Sequence, residues 1–182
     1  MPKIKTKRSD IYRKFEIAEM LNNSDPWLKA LIALSAIFGK RISEILKLQK
    51  TDLRVDDRYL YVRFLVSKKR TRKDAPIPKP YLKRITLKHP LVPYILDYVK
   101  VIEDQTLLFN GMTRQRALYY LKKVNPQAWF HLFRESLATE MAERGATEEQ
   151  LMHWFDWDRV DTAHEYVKRG TKLTEQYAER TW

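Results

Sequence analysis

Residues 125–144, NPQAWFHLFRESLATEMAER, have the spacing of one long helix. Asn125-Pro126 is typical of a helix start, and Gly145 stands where the helix should end. His131 and Arg134 are three residues apart, which places both side chains on one helix face, about one turn from each other. Such a pair can meet one small anion, with the histidine exchanging a proton near neutral pH. The stretch therefore predicts an anion site on a core helix.

A buried helix is predicted upstream of this site. Ser24-Asp25-Pro26 combines a capping side chain with a proline for the first turn, and the apolar run Trp27 to Phe38 is too short to cross a bilayer. Gly39 is expected to end this helix. A second helix is predicted from Arg41 to about Gln49. Arg41 would then begin a helix packed against a buried one, an unusual place for a permanent charge.

Two strands are predicted where the apolar period changes towards two. Tyr59 to Val66 and Lys83 to Lys88 are rich in β-branched and aromatic residues and should pair. The connection between them, residues 67–82, contains three prolines and a single acid, Asp74. We expect an extended basic hairpin loop, whose basic residues are Lys68, Lys69, Arg70, Arg72, Lys73 and Lys79.

The rest of the sequence predicts helices. They cover residues 91–103, 113–124 with Thr113 as the cap, 147–155 with a Thr147–Gln150 capping box, 162–169 and 173–181. The fold class is therefore mainly α (α+β), a helical domain with one small antiparallel sheet.

Charge and composition restrict the partners and the chemistry. The 182 residues contain 35 lysines and arginines against 23 acids, a net charge of +12. This balance favours a polyanion, and nucleic acid over a membrane, because no helix pattern joins a broad apolar face to a basic one. The chain has no cysteine, which excludes disulfides, thiolate metal sites and a cysteine nucleophile. The N-terminus has no apolar signal region, so we expect a soluble intracellular protein.

Each candidate residue also has a structural interpretation. Arg41 could pair with Glu44, and Arg134 with Glu135 or Glu140. His131 could be a satisfied core histidine among aromatic residues, and Tyr166, in an aromatic-rich chain, could be purely structural. The sequence has no glycine-rich phosphate loop and no cluster of metal ligands. An enzyme built on these residues would therefore work with side chains alone.

Three motifs in order resemble the catalytic domain of the tyrosine recombinase (phage integrase) family. Gly39-Lys40-Arg41-Ile42-Ser43-Glu44, followed by Asp52-Leu53, is similar to the family's first arginine motif. His131-Leu132-Phe133-Arg134, continued by Leu137-Ala138-Thr139, is similar to its His-x-x-Arg motif. The run from Phe155 to Tyr166 is similar to its Leu-Gly-His-Ser-x-Ile-x-Thr-Thr-x-x-Tyr motif.

Two positions depart from these motifs. Lys40 replaces a commoner apolar residue, and Asp156 replaces the usual glycine. Trp157 stands where the family has His or Trp, nine residues before Tyr166. The resemblance extends from about residue 25 to residue 170 and is specific in its order and spacing.

The resemblance implies a role for each residue. Arg41 and Arg134 would hold the scissile phosphate, and Tyr166 would attack it to leave a 3′-phosphotyrosine and a free 5′-hydroxyl. Lys68, or Lys69 next to it, would protonate the leaving oxygen. His131 would assist proton transfer, and Trp157 would hydrogen-bond or pack beside the phosphate. The DNA-binding residues would be Lys69, Arg70, Arg72 and Lys73. No metal, ATP or other cofactor would be needed.

The resemblance also predicts the domain organisation and the partners. Residues 1–24 would form a basic N-terminal arm, 25–170 the catalytic domain, and 171–182 a C-terminal helix that could pack on a neighbouring protomer. Family members usually carry an N-terminal core-binding domain, so this chain would be either a fragment or a minimal enzyme. The implied partners are double-stranded DNA and further copies, as a dimer or tetramer on DNA, in the cytoplasm of a prokaryotic or virus-infected cell; no membrane is expected.

Two other functions stay open on the sequence. A type IB topoisomerase would use the same chemistry to relax DNA without synapsis at a specific site. A non-enzymatic DNA-binding protein would use the same helices only to place basic residues on phosphates. Tyr177 is a nearby alternative nucleophile, although the motif spacing favours Tyr166.

Overall fold

The computed structural model describes residues 11–65, 80–103 and 106–168. They form a mainly helical domain with a small antiparallel sheet, which confirms the predicted fold class. The helices are α1 Lys14–Asn22, α2 Pro26–Phe38, α3 Ile42–Ile45, α4 Val92–Lys100, α5 Arg114–Val124, α6 Phe130–Glu143, α7 Glu148–Phe155 and α8, residues 160–168. Helix α1 lies within the segment predicted to be the arm, whereas the predicted helix 173–181 lies outside the described residues.

Helix α2 is the centre of the core. Pro26 occupies its first turn after an extended Asp25, and Leu31, Ile32 and Leu34 are fully buried. Helices α4 and α6 both pack on it. Gly39 ends it in the left-handed conformation, with φ 57°. The predicted start, burial and end of this helix are all confirmed.

Helix α3 is shorter than predicted. It ends at Ile45, because the chain then leaves the helix to pair with the segment that precedes α5. The Leu48 carbonyl accepts from the Leu108 N–H at 2.8 Å, and Gln49 forms a β-bridge with Leu107. The prediction of a helix to Gln49 is wrong, but Arg41 does stand at the start of α3.

The sheet contains β1 Leu53–Val55, β2 Tyr59–Phe64 and β3 Tyr81–Thr86 in the order β1-β2-β3. Pairing of β2 with β3 is antiparallel, as predicted, and β1 adds a strand that the sequence analysis did not predict. Alternate residues of β2 point into the core, so that Leu60, Val62 and Phe64 are buried. Lys83 lies opposite Val62 and is buried as well.

Helix α6 begins at Phe130, five residues later than predicted. The Asn125 side chain accepts from the Gln127 N–H at 3.0 Å, and the Asn125 carbonyl accepts from the Ala128 N–H at 2.9 Å. These bonds form a local turn in place of a helical one, a role for which Asn-Pro is also suited. His131 therefore lies in the first turn of α6. The end of the helix, just before Gly145, is as predicted.

Helices α6, α7 and α8 pack on one another through a second apolar cluster that includes Ala138, Leu151, Phe155 and Ala163. Helix α7 begins with the predicted capping box, in which Thr147 accepts from the Gln150 N–H. It ends at Asp156, the one described non-glycine residue with a positive φ, 54°. The short turn after α7 leads directly to α8.

Candidate functional site

A pocket of about 230 Å³ lies where three parts of the fold meet. Lys40 and Arg41 come from the turn between α2 and α3, and Tyr81 comes from the first position of β3. Asp156 and Trp157 come from the turn between α7 and α8. The first and third of the family-like motifs thus line one pocket.

Arg41 stands over this pocket at the start of α3. Its side chain is 45% exposed, and Nη1 lies 3.4 Å from Glu44 Oε1. The other oxygen of Glu44 accepts from the Arg41 backbone N–H at 3.0 Å. The predicted pairing with Glu44 is therefore present. Because that contact is long and the guanidinium is half exposed, Arg41 retains donors for an anion in the pocket.

Arg134 is buried and binds backbone, not an acid. Its guanidinium donates to the Gly39 carbonyl at 2.6 Å and to the Phe155 carbonyl at 2.8 Å. The acids expected as its partners bind other residues, since Glu135 pairs with His131 and Glu140 with Arg144. Arg134 thus joins the ends of α2 and α7, the two turns that supply the pocket.

The pKa of Arg134 responds to its burial and to the charges of Arg41 and Tyr166. Burial lowers the pKa of Arg134 to about 10, and the charge of Arg41 adds to the fall. Glu44 and Tyr166 oppose it. At neutral pH the guanidinium still carries its charge, so α6 contributes a permanent buried cation at the ends of α2 and α7.

Trp157 and Tyr166 form a stack beside this cation. The two rings are nearly parallel, with centroids 5.3 Å apart, and Phe155 also stacks on Trp157, with centroids 4.8 Å apart. The Arg134 guanidinium carbon lies 5.5 Å from the Trp157 ring centroid. The structure therefore brings together four of the predicted site residues: Arg41, Arg134, Trp157 and Tyr166.

His131 faces away from the core. Its side chain is 56% exposed, with Nε2 3.1 Å from Glu135 Oε1 and the ring edge-on to Trp129. The alternative of a satisfied core histidine is therefore wrong. Arg134 turns its guanidinium inward towards Gly39, so a shared anion between His131 and Arg134 stays a prediction.

The predicted lysine and DNA-binding residues, Lys68, Lys69, Arg70, Arg72 and Lys73, lie outside the described residues. The chain leaves the sheet at Phe64 and re-enters it at Tyr81, and both residues line the pocket. The strand ends on either side of that segment are therefore at the rim of the pocket.

A charged cluster at the pocket, formed by Lys40, Lys83 and Asp156, was not predicted from the sequence. Asp156 pairs with Lys40 and, at 3.1 Å, with Lys83. Burial lowers the pKa of both lysines, and the charges of Lys83 and Arg134 add to the fall at Lys40. Two signals were available: Lys40 and Asp156 depart from the motifs with opposite charges, and Lys83 occupies an inward position of its strand.

The described part of the chain has neither a metal-ligand cluster nor a helix that could cross a membrane. Within residues 11–65, 80–103 and 106–168, no group of three or more His, Asp or Glu side chains could hold a metal ion. No helix in the same residues is long and apolar enough to cross a membrane.

Comparison with protein families gives a match over most of the chain. The model of the phage integrase family matches residues 11–172. A probable integrase/recombinase of Acholeplasma phage L2 is 29% identical over 155 residues, which are 79% of this chain and 50% of the relative. The chain thus spans about half the length of the curated relative that it matches.

Comparison with solved structures finds the same fold. The XerH site-specific recombinase bound to difH substrate superposes with a TM-score of 0.66 at 13% identity, covering 88% of this chain and 51% of that one. The XerA recombinase gives 0.65 at 15% identity, covering 100% of this chain and 66% of that one. The Tn1549 transposon integrase in complex with transposon right end DNA gives 0.59 at 15% identity, covering 97% and 68%. At these identities the similarity establishes the fold.

Proposed function

Since this chain belongs to the phage integrase family, we propose that it is a site-specific recombinase that cleaves and rejoins DNA strands through a 3′-phosphotyrosine intermediate. The observation that carries this proposal is the grouping of Arg41, Arg134, Trp157 and Tyr166. Arg41 and Trp157 line one pocket, Tyr166 stacks on Trp157, and the Arg134 guanidinium lies beside the Trp157 ring. A phosphodiester needs fixed cations and a nearby nucleophile, and this grouping contains both.

The arginines would act on the phosphate. Arg41, half exposed at the pocket, would bind a non-bridging oxygen directly. Arg134 uses two of its five N–H groups on the ends of α2 and α7, so the remaining ones are available on a rigid scaffold. Both charges would stabilise the negative charge that builds up in the pentacoordinate transition state.

Tyr166 would be the nucleophile. The bond between Tyr166 Oη and phosphorus forms while the bond from phosphorus to the 5′ oxygen breaks, so the strand keeps its 3′ phosphate on the enzyme. A phenol with a pKa near 10 attacks poorly unless cations surround it, and Arg41 and Arg134 supply that environment. The stack on Trp157 would hold the ring in place.

Two further groups would move protons. Lys68, or Lys69 next to it, would protonate the departing 5′ oxygen, and His131 would assist the transfer from Tyr166. A 5′-hydroxyl from a second strand can then attack the phosphotyrosine and release Tyr166. The second step preserves the number of phosphodiester bonds, so no ATP is required. The cationic side chains would supply the charge stabilisation that a metal ion gives in other enzymes.

The proposed partner is double-stranded DNA. The net charge of +12 supports this partner, as does the DNA present in the XerH and Tn1549 integrase complexes. We propose that Lys69, Arg70, Arg72 and Lys73 contact its phosphates. A dimer or tetramer on DNA is proposed as well, because strand exchange joins two DNA sites.

A covalent trap tests the proposal. The full chain is incubated with a library of nicked duplexes of randomised sequence, in which the fragment carrying the 5′-hydroxyl is lost after cleavage, and protein–DNA adducts are counted on a denaturing gel. We expect an adduct with the natural protein and none with Tyr166→Phe. The matched controls Tyr119→Phe, which alters an exposed tyrosine on α5, and Tyr177→Phe should retain the adduct.

Other outcomes assign the function differently. An adduct that persists in Tyr166→Phe would contradict the assigned nucleophile. Salt-sensitive DNA binding without any adduct would favour a non-enzymatic DNA-binding protein. Relaxation of a supercoiled plasmid without site preference would favour a topoisomerase.

A further inference from the structure

A cluster of buried charges joins three segments around the pocket. Lys40 lies in the turn between α2 and α3, Lys83 in the middle of β3, and Asp156 in the turn after α7. Asp156 Oδ2 pairs with Lys40 Nζ, and Oδ1 lies 3.1 Å from Lys83 Nζ. The lysine side chains are 2% and 4% exposed. We call Lys40, Lys83 and Asp156 the lysine–aspartate clasp.

The clasp also binds the end of α7. The last three carbonyls of this helix each accept from a different buried cation, in the pairs Lys83–His153, Lys40–Trp154 and Arg134–Phe155. A helix C-terminus carries partial negative charge and unpaired carbonyls, so cations are favoured there. The two lysines of the clasp and Arg134 thus all donate hydrogen bonds to the end of α7.

Aromatic side chains surround the two ammonium groups. The Tyr81 ring centroid lies 5.7 Å from Lys40 Nζ and 5.8 Å from Lys83 Nζ. Phe64 lies 5.5 Å from Lys40 Nζ, and Trp154 lies 5.8 Å from Lys83 Nζ. Since buried charges cost several kcal/mol unless they are paired, both lysines depend on the one carboxylate of Asp156.

Two members of the clasp are the two departures from the family-like motifs. Lys40 replaces a commoner apolar residue and Asp156 replaces the usual glycine, and the two side chains contact each other. Asp156 adopts a left-handed conformation that favours glycine. An aspartate is therefore held there against a backbone preference. Its pairing with Lys40 and Lys83 accounts for that choice.

We infer that the lysine–aspartate clasp positions the two walls of the pocket for strand cleavage. Lys40 precedes Arg41, which we propose binds the phosphate, and Asp156 precedes Trp157, whose ring stacks on the proposed nucleophile Tyr166. The clasp fixes these walls relative to each other and to β3, the strand that carries Lys83. Its members are positioning residues, and this inference rests on the proposed function.

The inference is tested with the covalent trap under single-turnover conditions, using the full chain and saturating protein. Asp156→Asn removes the shared charge with little change of shape. We expect the adduct rate per folded molecule to fall by about tenfold to a hundredfold, the scale on which misplaced reacting groups slow a reaction. DNA affinity, measured separately, should stay unchanged because Arg41 and the other phosphate-binding groups remain.

Three more variants make the result specific. Lys40→Met, which stays informative if Asp156→Asn does not fold, should also slow the reaction. The double variant should lose less than the product of the two single losses, since both act through one contact. Asp97→Asn is the matched control, because it breaks a Lys100–Asp97 pair of the same 3.1 Å separation on the surface. Its adduct rate should equal that of the natural protein.

Each outcome decides between the two proposals. If the natural protein forms the adduct and the clasp variants react at the rate of Asp97→Asn, the clasp inference is overturned and the proposed function stands. Lower thermal stability with an unchanged rate per folded molecule would equally overturn it, leaving the clasp a role in folding. If the natural protein forms no adduct on any duplex, both are overturned.

Discussion

At the scale of one residue, a substitution of Gly39 tests how closely the chain packs next to the pocket. Its φ is 57°, and a Cβ added there would overlap the Phe155 ring. Gly39→Ala should lower the free energy of unfolding by about 2–5 kcal/mol, the sum of a left-handed alanine and an overpacked core. Chemical denaturation measures this value.

Gly145→Ala is the matched comparison for that substitution. Gly145 also has a positive φ, 88°, but among the described residues no atom beyond its chain neighbours lies within 4 Å of the added Cβ. It should therefore show only the backbone cost, about 1–2 kcal/mol. Equal losses in the two variants would mean that contact with Phe155 contributes nothing.

The role of Arg134 was only partly predictable from its sequence position. The spacing from His131 and the resemblance to a His-x-x-Arg motif predicted a site residue, and the structure does place it beside Trp157 and Arg41. Its partners, the carbonyls of Gly39 and Phe155, lie 95 and 21 residues away. Every residue type has a backbone carbonyl, so a sequence pattern cannot show which carbonyl binds Arg134.

At the scale of elements, local signals predicted best. Proline, capping side chains and glycine set the ends of α2, α5 and α7 because they act within a few residues. The predictions were wrong where distant pairing took over, as at the end of α3, where Leu48 and Gln49 bond to Leu108 and Leu107. Strand β1 is too short to carry a clear alternation of its own.

The connection from α5 to α6 gives a prediction at this scale. Asn125 accepts from the Gln127 N–H and so holds the turn that delays the start of α6. Asn125→Ala should lower the free energy of unfolding by about 1 kcal/mol, through the loss of that hydrogen bond. Asn125→Asp retains the acceptor oxygen and should stay near the natural value. Denaturation curves of the three proteins would contradict this interpretation if the two variants were equally destabilised.

At the scale of the whole molecule, the net charge predicts how DNA affinity should depend on salt. With a net charge of +12, binding should weaken steeply with salt, by about 10³-fold or more between about 50 and 200 mM if six or more phosphates are contacted. Arg41→Ala should reduce the slope of log affinity against log salt by about one unit, one phosphate's share. Lys100→Ala, at an exposed pair on α4, should leave the slope unchanged. A fluorescence anisotropy titration at several salt concentrations measures both slopes.

At the same scale, composition favours a polyanionic partner, which stays a prediction, whereas the order of the motifs predicted the family, which the match to the family model confirms. Neither composition nor motif order could predict which distant segments contact each other in the fold. Only the fold places Lys40, Lys83 and Asp156 on one another. The available signals were the opposite charges at two unusual motif positions and the inward position of Lys83 in its strand.

The clasp has a consequence for chimeric proteins. A turn from a relative with glycine at position 156, grafted after α7, would leave the Lys40 and Lys83 ammonium groups buried without their carboxylate. Grafting only the first arginine motif would instead remove one of the two cations that hold Asp156 in its strained conformation. Functional hybrids should therefore exchange both motifs in one step, and in natural relatives a lysine at the first position should accompany an acid at the second.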